Sequence, residues 1–172
     1  MIRNVISVLL LLLFCLGTMT VQAQQVQWIS WDQASEIVAT GTDKKVFVDV
    51  YTDWCGWCKR MDKDTFQNAE VAKYMTENFL MVKLDGEAKE NIDYKGRTFK
   101  FVASGRRGYH ELAATIMRGR LSYPTVVFLD EKMNLITPVP GYQKPEPFLN
   151  IARYFGDNIF KEKDWKTYSG QK

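Results

Sequence analysis

Cys55 and Cys58 are the residues of this sequence best suited to chemistry. They stand three apart in Cys-Gly-Trp-Cys, after the apolar run Val46-Phe47-Val48-Asp49-Val50-Tyr51 and at the start of a helical pattern. A pair so spaced between a strand and a helix suits dithiol–disulfide redox chemistry. The first cysteine would sit at the helix N-terminus, where free backbone N–H groups and the helix dipole favour negative charge. Its thiolate therefore forms more readily than that of a free cysteine. The second lies one turn on, within reach of a disulfide. Cys55 is then the attacking thiolate, and Cys58 the resolving thiol that closes the ring and frees the substrate. Two blander readings stay open, a redox-inert disulfide and half of a zinc site. Zinc normally takes four ligands, and the single histidine, His110, lies in an unrelated region. No metal and no cofactor are expected.

The elements that must hold this pair follow from periodicity. Trp31 to Thr40 reads as a helix, with Trp31, Ala34, Ile37 and Val38 on one side. Val46 to Tyr51, bounded by turn signals, reads as a buried strand. After the motif, Met61, Phe66, Val71, Tyr74, Met75 and Phe79 mark a long helical pattern. It breaks near Gln67-Asn68, with Asn68 as the N-cap of the second half. Leu80 to Leu84 is the next strand. Residues 86–108 carry no clear period and are rich in Lys, Arg, Gly and Asn. Their Arg106-Arg107 pair, with Lys95, Arg97 and Lys100, reads as a solvated loop, and a site for an acidic partner is the sharper alternative. A short helix is expected over Glu111 to Arg118, then a strand over Thr125 to Leu129. A turn at Asp130 to Asn134 leads to a second strand over Leu135 to Val139. Phe148, Ile151, Ala152, Phe155 and Ile159 form one face of a last helix begun at Pro145 to Pro147. Strands alternating with helices imply a central sheet with helices on both faces, an α/β architecture.

The chain as a whole sets wider bounds. Its 172 residues suit one domain, and 46% hydrophobic content supplies a full core without disulfide staples. A net charge of +3, from 23 basic and 20 acidic residues, gives no sign of a nucleic-acid surface. Arg3, the apolar run Val5 to Met19 and the small-residue pattern Val21-Gln22-Ala23 read as a secretory signal, residues 1–23, cleaved after Ala23. The run is about 15 residues, shorter than the roughly 20 of a spanning helix. A membrane anchor is the lesser reading, and Phe14 before Cys15 argues against a lipoprotein signal. Export removes Cys15 and leaves Cys55 and Cys58 as the remaining cysteines, in a compartment where disulfides persist. The mature protein is expected to span 24–172 and to be periplasmic or secreted.

The segment Val48-Asp49-Val50-Tyr51-Thr52-Asp53-Trp54-Cys55-Gly56-Trp57-Cys58-Lys59 resembles the active-site segment of the thioredoxin-like superfamily. Val82-Lys83-Leu84-Asp85 resembles the next strand of that fold, Tyr123-Pro124-Thr125 its cis-proline loop, and Gly141 the glycine after its final hairpin. Cys-x-x-Cys-Lys-x-Met with Thr65-Phe66 and Val71 is similar to an exported branch that includes the C-terminal domain of DsbD. Gly-Trp stands where thioredoxin has Gly-Pro, and an insertion of roughly two dozen residues, about 86–110, precedes the proline loop. A helical tail is expected over about 146–172.

The resemblance implies a thioredoxin-like fold, with a central mixed β-sheet flanked by helices. It also implies supporting roles. Asp49 would lie beneath Cys58 and accept its proton, and Lys83 nearby would partly oppose the rise in the Asp49 pKa. Trp54 would shield the pair, and Gly56 goes with reduction rather than oxidation. Tyr123 and Pro124 would bind the substrate chain, with Pro124 in the cis form. Trp57, on the outer turn of the motif, reads as an exposed recognition residue. Asp49 as a satisfied core polar group, Lys83 as a sheet-edge charge and Pro124 as an ordinary trans turn proline are the plainer alternatives. The function expected is an exported protein-disulfide oxidoreductase, acting as a reductase. Protein disulfides are the partners, a membrane thiol protein is a candidate electron donor, and a monomer is expected. The competing class is an adaptor or chaperone module that binds partners without turnover.

Overall fold

The computed structural model describes residues 25–170. The expected signal segment, 1–23, lies outside the described residues. A short strand, β1 (Trp28–Ile29), leads to helix α1 (Trp31–Thr40). Ser30 caps α1: its Oγ accepts the Gln33 N–H, while Gln33 Oε1 accepts the Ser30 N–H. Strand β2 (Lys45–Tyr51) follows, then helix α2 (Gly56–Met61), which widens into a π-helical turn (Asp62–Phe66). Helix α3 (Ala69–Asn78) runs into strand β3 (Phe79–Asp85). Asn68 Oδ1 accepts the N–H groups of Glu70 and Val71 and so starts α3 at the position expected. Asn68→Ala should cost about 1 kcal/mol of stability in urea unfolding, the usual effect of losing an N-cap.

Residues 86–110 form two small hairpins. Strands β4 (Ile92–Tyr94) and β5 (Arg97–Phe99) pair through the two-residue turn Lys95-Gly96, both at positive φ, as a tight primed turn demands. Strands β6 (Phe101–Val102) and β7 (Tyr109–His110) pair next, joined by residues 103–108. Ile92 and Phe99 are buried in the core, and Tyr94 meets Trp31 edge-on, so the first hairpin is packed against α1. His110 is fully buried and begins helix α4 (Glu111–Ile116), its Nδ1 accepting the Leu112 N–H and its Nε2 facing the Glu90 carbonyl. Strands β8 (Thr125–Leu129) and β9 (Leu135–Pro140) form the final hairpin. Helix α5 (Pro145–Gly156), a 3₁₀ turn (Ile159–Lys161) and helix α6 (Trp165–Ser169) complete the chain.

The sheet order is β1-β3-β2-β8-β9, with β1, β3 and β2 parallel, β8 antiparallel to β2, and β9 antiparallel to β8. This is the central mixed sheet flanked by helices that the element order implies. Alternation along β2 sends Val46, Val48 and Val50 to one face, against Trp31, Ala34, Leu112 and Ile116. Phe47 goes to the other face, where it meets Phe66, Phe128 and Phe148 edge-on. Each such pair contributes about 0.5–1.5 kcal/mol beyond its buried area. Asp49 shares the Phe47 side of the strand.

Three helical stretches differ from the sequence reading, and β3 and β9 each run one residue further, to Asp85 and Pro140. α4 stops at Ile116, with Arg118 left-handed. α5 stops at Gly156, and Ile159 begins a separate turn after the left-handed Asn158. The helix after the motif passes through a π turn before its break, where Thr65 turns inward to donate its hydroxyl to the Gln143 carbonyl at 2.6 Å. No helix among the described residues is long and apolar enough to cross a membrane.

Candidate active site

The central strand β2 ends at Tyr51, and four residues carry the chain to the first turn of α2. The Cys55 N–H donates to the Thr52 carbonyl at 3.0 Å, which fixes the approach. Cys55 is the N-cap of α2: its Sγ accepts the Cys58 backbone N–H at 3.0 Å, and its carbonyl accepts the Lys59 N–H. A sulfur in this place faces the unpaired N–H groups of the first turn, where negative charge is stabilised. Cys55 and Cys58 are joined as a disulfide with Cα atoms 5.3 Å apart. Gly56 is exposed on the turn between them, where a side chain would meet only open space.

Cys55 is only 4% exposed, whereas Trp54 and Trp57 beside it are 50% and 55% exposed. A protein reaching the sulfur must therefore meet these indoles first. Trp54 stands edge-on to Tyr123 at 5.8 Å, and the Tyr123–Pro124 peptide is cis, as the resemblance implies. The Tyr123 ring lies over buried Gly86, where a β-carbon would collide with the phenol. Burial, with Glu87 and Asp85 nearby, pushes the Tyr123 hydroxyl up to about 12, so it stays a neutral donor. Trp57 packs on Tyr142 at 5.3 Å, and the Arg60 guanidinium covers both rings. Arg60 is in turn held by Asp64 at 3.1 Å, to which the Tyr142 hydroxyl also donates.

A charged group of three is centred on Lys83. Asp49 and Lys83 are directly paired across β2 and β3, and the Lys83 Nζ donates to Asp49 Oδ2 at 2.7 Å. The same ammonium donates to Asp62 Oδ1, from the π turn, at 2.5 Å. It also lies near the faces of Trp28 and Tyr51, 4.8 and 5.0 Å from the ring centroids. Burial would pull the Lys83 ammonium down, but its two carboxylates together outweigh that and hold it above its ordinary value. Asp49 is almost completely buried. Burial pushes its carboxyl up to about 6 against the pull of Lys83. Its Oδ1 is buried with no hydrogen-bond partner among the described residues. An acceptor atom left unmatched in this way is suited to taking a proton.

The residues that the sequence points to are Cys55, Cys58, Asp49, Lys83, Trp54, Gly56, Trp57, Tyr123 and Pro124. The structure gathers the two cysteines at one helix start, pairs Asp49 with Lys83, and sets Trp54 against Tyr123. Lys83 lies in strand β3, between β1 and β2 in the sheet order, just past the last residue, Val82, that β1 pairs. Asp62, Arg60 and Tyr142 also stand at the site and are not among those residues. Asp62 had a usable signal, since it falls one helical turn after Cys58. Arg107, read as part of a loop, reaches the rim, with its guanidinium carbon 4.1 Å from the centroid of Trp54. Among the described residues no group of three or more His, Cys, Asp and Glu is placed to hold a metal ion.

This chain is similar to Spermatogenesis-associated protein 20 of Homo sapiens, at 32% identity over 84 residues, covering 49% of this chain and 11% of that protein. It is also similar to Thiol:disulfide interchange protein DsbD of Yersinia pestis, at 29% identity over 119 residues, covering 68% of this chain and 17% of DsbD. Both relatives are thus far longer than the part they share with this chain. A thioredoxin-fold protein from Helicobacter pylori superposes with a TM-score of 0.55 at 21% identity, over 89% of each chain, which establishes the fold. The family model described as "Thioredox_DsbH: Protein of unknown function, DUF255" matches residues 18–138. With a thioredoxin fold, a Cys55–Cys58 disulfide at a helix start and this match over most of its length, the chain belongs to the Thioredox_DsbH family.

Proposed function

We propose that this protein is an exported thiol–disulfide oxidoreductase that reduces disulfides in other proteins. The observation that carries the reading is the Cys55 sulfur capping α2; the strand before it holds a buried carboxylate, Asp49, with an unmatched oxygen, and the resemblance sets that carboxylate beneath Cys58. In the dithiol form, the Cys55 thiolate attacks one sulfur of a substrate disulfide. A mixed disulfide forms, and the first substrate sulfur leaves as a thiolate. Cys58 then gives its proton to Asp49 and attacks the Cys55 sulfur. The second substrate sulfur leaves, and the Cys55–Cys58 disulfide remains. Two electrons have passed to the substrate, and an external dithiol must return them. A membrane thiol protein fits that need. Asp49 and Gly56, by their resemblance to the reducing members of the superfamily, favour reduction. Lys83 tunes Asp49, while Trp54, Trp57 and Tyr123, with Pro124, form the rim that a substrate meets.

Residues 1–23 act in this reading as the export signal, cleaved after Ala23, and 86–110 as a segment inserted beside the rim. The test is insulin reduction by the mature protein with dithiothreitol as donor, together with a measured reduction potential. Turnover and a potential near the roughly −270 mV of thioredoxin are expected. A potential above about −150 mV would make the protein an oxidant, since DsbA lies near about −120 mV. Partner binding with no turnover would favour the adaptor reading.

A further inference from the structure

The hairpin of β6 and β7 brings its connecting residues, 103–108, to the rim of the disulfide. There Arg107 stacks on Trp54, and Trp54 stands edge-on to Tyr123. The three side chains form a continuous wall beside Cys55, the chain neighbour of Trp54. Gly108 sets the course of the loop: its φ is +120°, and a β-carbon there would run into the Phe101 ring and the Val102 carbonyl.

The cations around the motif are not equivalent. Lys83 is held by Asp49 and Asp62, and Arg60 by Asp64. Arg107 and its neighbour Arg106 are exposed, and neither has a carboxylate within ion-pair distance among the described residues. A guanidinium stacked on an indole is held in orientation by the ring, yet keeps its N–H edge free for a carboxylate in its own plane. The charge around Tyr123 has the opposite sign, from Asp85 and Glu87, with Asp53 near Asp85. The rim is therefore polar in the electrostatic sense, cationic at the inserted hairpin and anionic by the proline loop.

We infer that Arg107, stacked on Trp54, is a specificity-determining residue that favours protein disulfides with an aspartate or glutamate close to the cysteine under attack. This rests on the reading of the Cys55–Cys58 pair as an exchange centre. The recognised group is a carboxylate on a protein segment, and Arg106 adds to the field that draws it in.

The test uses three disulfide-linked peptides that differ at one position, two residues from the reactive cysteine, carrying Glu, Gln or Lys there. For reduction by the dithiol protein, kcat/KM should fall in that order, by about fivefold from Glu to Lys, as for one exposed ion pair. High salt should narrow the spread. Arg107→Gln should narrow the spread to the smaller share left by Arg106, and Arg107→Glu should invert the order. A second arm measures Kd for the same peptides with serine in place of cysteine, on the disulfide form of the protein, and the same order is expected. Binding in this order without turnover would overturn the reductase reading and leave the Arg107 assignment standing. Equal Kd values for the three peptides on the wild type, or an unchanged order in Arg107→Glu, would overturn the Arg107 assignment.

Discussion

Cys58→Ser is expected to arrest the protein as a covalent adduct with its substrates, through Cys55, whereas Cys55→Ala is expected to abolish insulin reduction. The asymmetry follows from where the two sulfurs lie. Cys55 caps α2, with its sulfur directed at the N–H groups of the first turn, while Cys58 sits within the helix and is 2% exposed. Only the first combines a stabilised thiolate with a rim along which a second disulfide can approach. Without Cys58 the mixed disulfide has no intramolecular thiol to resolve it. Exchange with an external thiol lacks the advantage of a neighbour held one turn away, and effective molarities of such neighbours are commonly very large. Non-reducing gels of Cys58→Ser incubated with exported proteins should show adducts that dithiothreitol removes, and mass spectrometry should place the linkage on Cys55. Adducts on Cys58 in the Cys55→Ala protein, with none on Cys55 in the other variant, would reverse the two roles.

The parts of this arrangement that can be read from the sequence are those whose chemistry and spacing coincide. Val46 to Tyr51 is β-branched and aromatic at every position but Asp49, so its burial is legible from residue types, and it fixes where the cysteines emerge. Asp49 is legible only through the resemblance of this segment to the thioredoxin active site, since a satisfied core carboxylate is the plainer reading of the residue itself. The hairpin of β4 and β5 is not legible. Its strands have three residues each, too few for alternation to register, and its turn is Lys95-Gly96 rather than the favoured Asn-Gly, so Lys95 takes a left-handed conformation that its type does not advertise. Arg107 has visible chemistry without a visible place. Only the pairing of Phe101 with His110 and Val102 with Tyr109 carries it to Trp54, and two-residue strands leave almost no trace in the sequence. Asp62 lies between these cases, one turn beyond Cys58 but on a helix that widens there into a π turn. Tyr142 reaches Trp57 because the chain turns at Gly141, which is at positive φ and donates its N–H to the Pro124 carbonyl.

Asp49→Asn is expected to slow the resolving step by about 100-fold and, in the disulfide form, to make the protein more stable at neutral pH. The two effects have one cause. Burial raises the Asp49 carboxyl to about 6 from an ordinary value of 3.8, so the folded protein holds this proton more tightly than the unfolded chain. Below about pH 4 the carboxyl is protonated in both states and costs nothing as a charge. Between about pH 4 and 6 the unfolded chain loses the proton first, and stability falls. Above about pH 6 both states are ionised, and a penalty of about 3 kcal/mol persists, at about 1.36 kcal/mol for each pKa unit. Asparagine carries no such charge. Lys83 keeps Asp62 as a partner, so the substitution does not strand a buried ammonium. Urea unfolding across this pH range should show the wild type losing stability where Asp49→Asn does not. In the same variant the resolving step, followed by stopped-flow on a preformed mixed disulfide, should lose the contribution of a positioned base, typically about 100-fold or more. Its rate should then rise with pH along with the ionisation of Cys58 itself, with no inflection near the Asp49 value of about 6. Equal pH dependence of stability in the two proteins would mean that Asp49 carries no buried charge. An unchanged resolving rate would mean that the Cys58 proton leaves by another route.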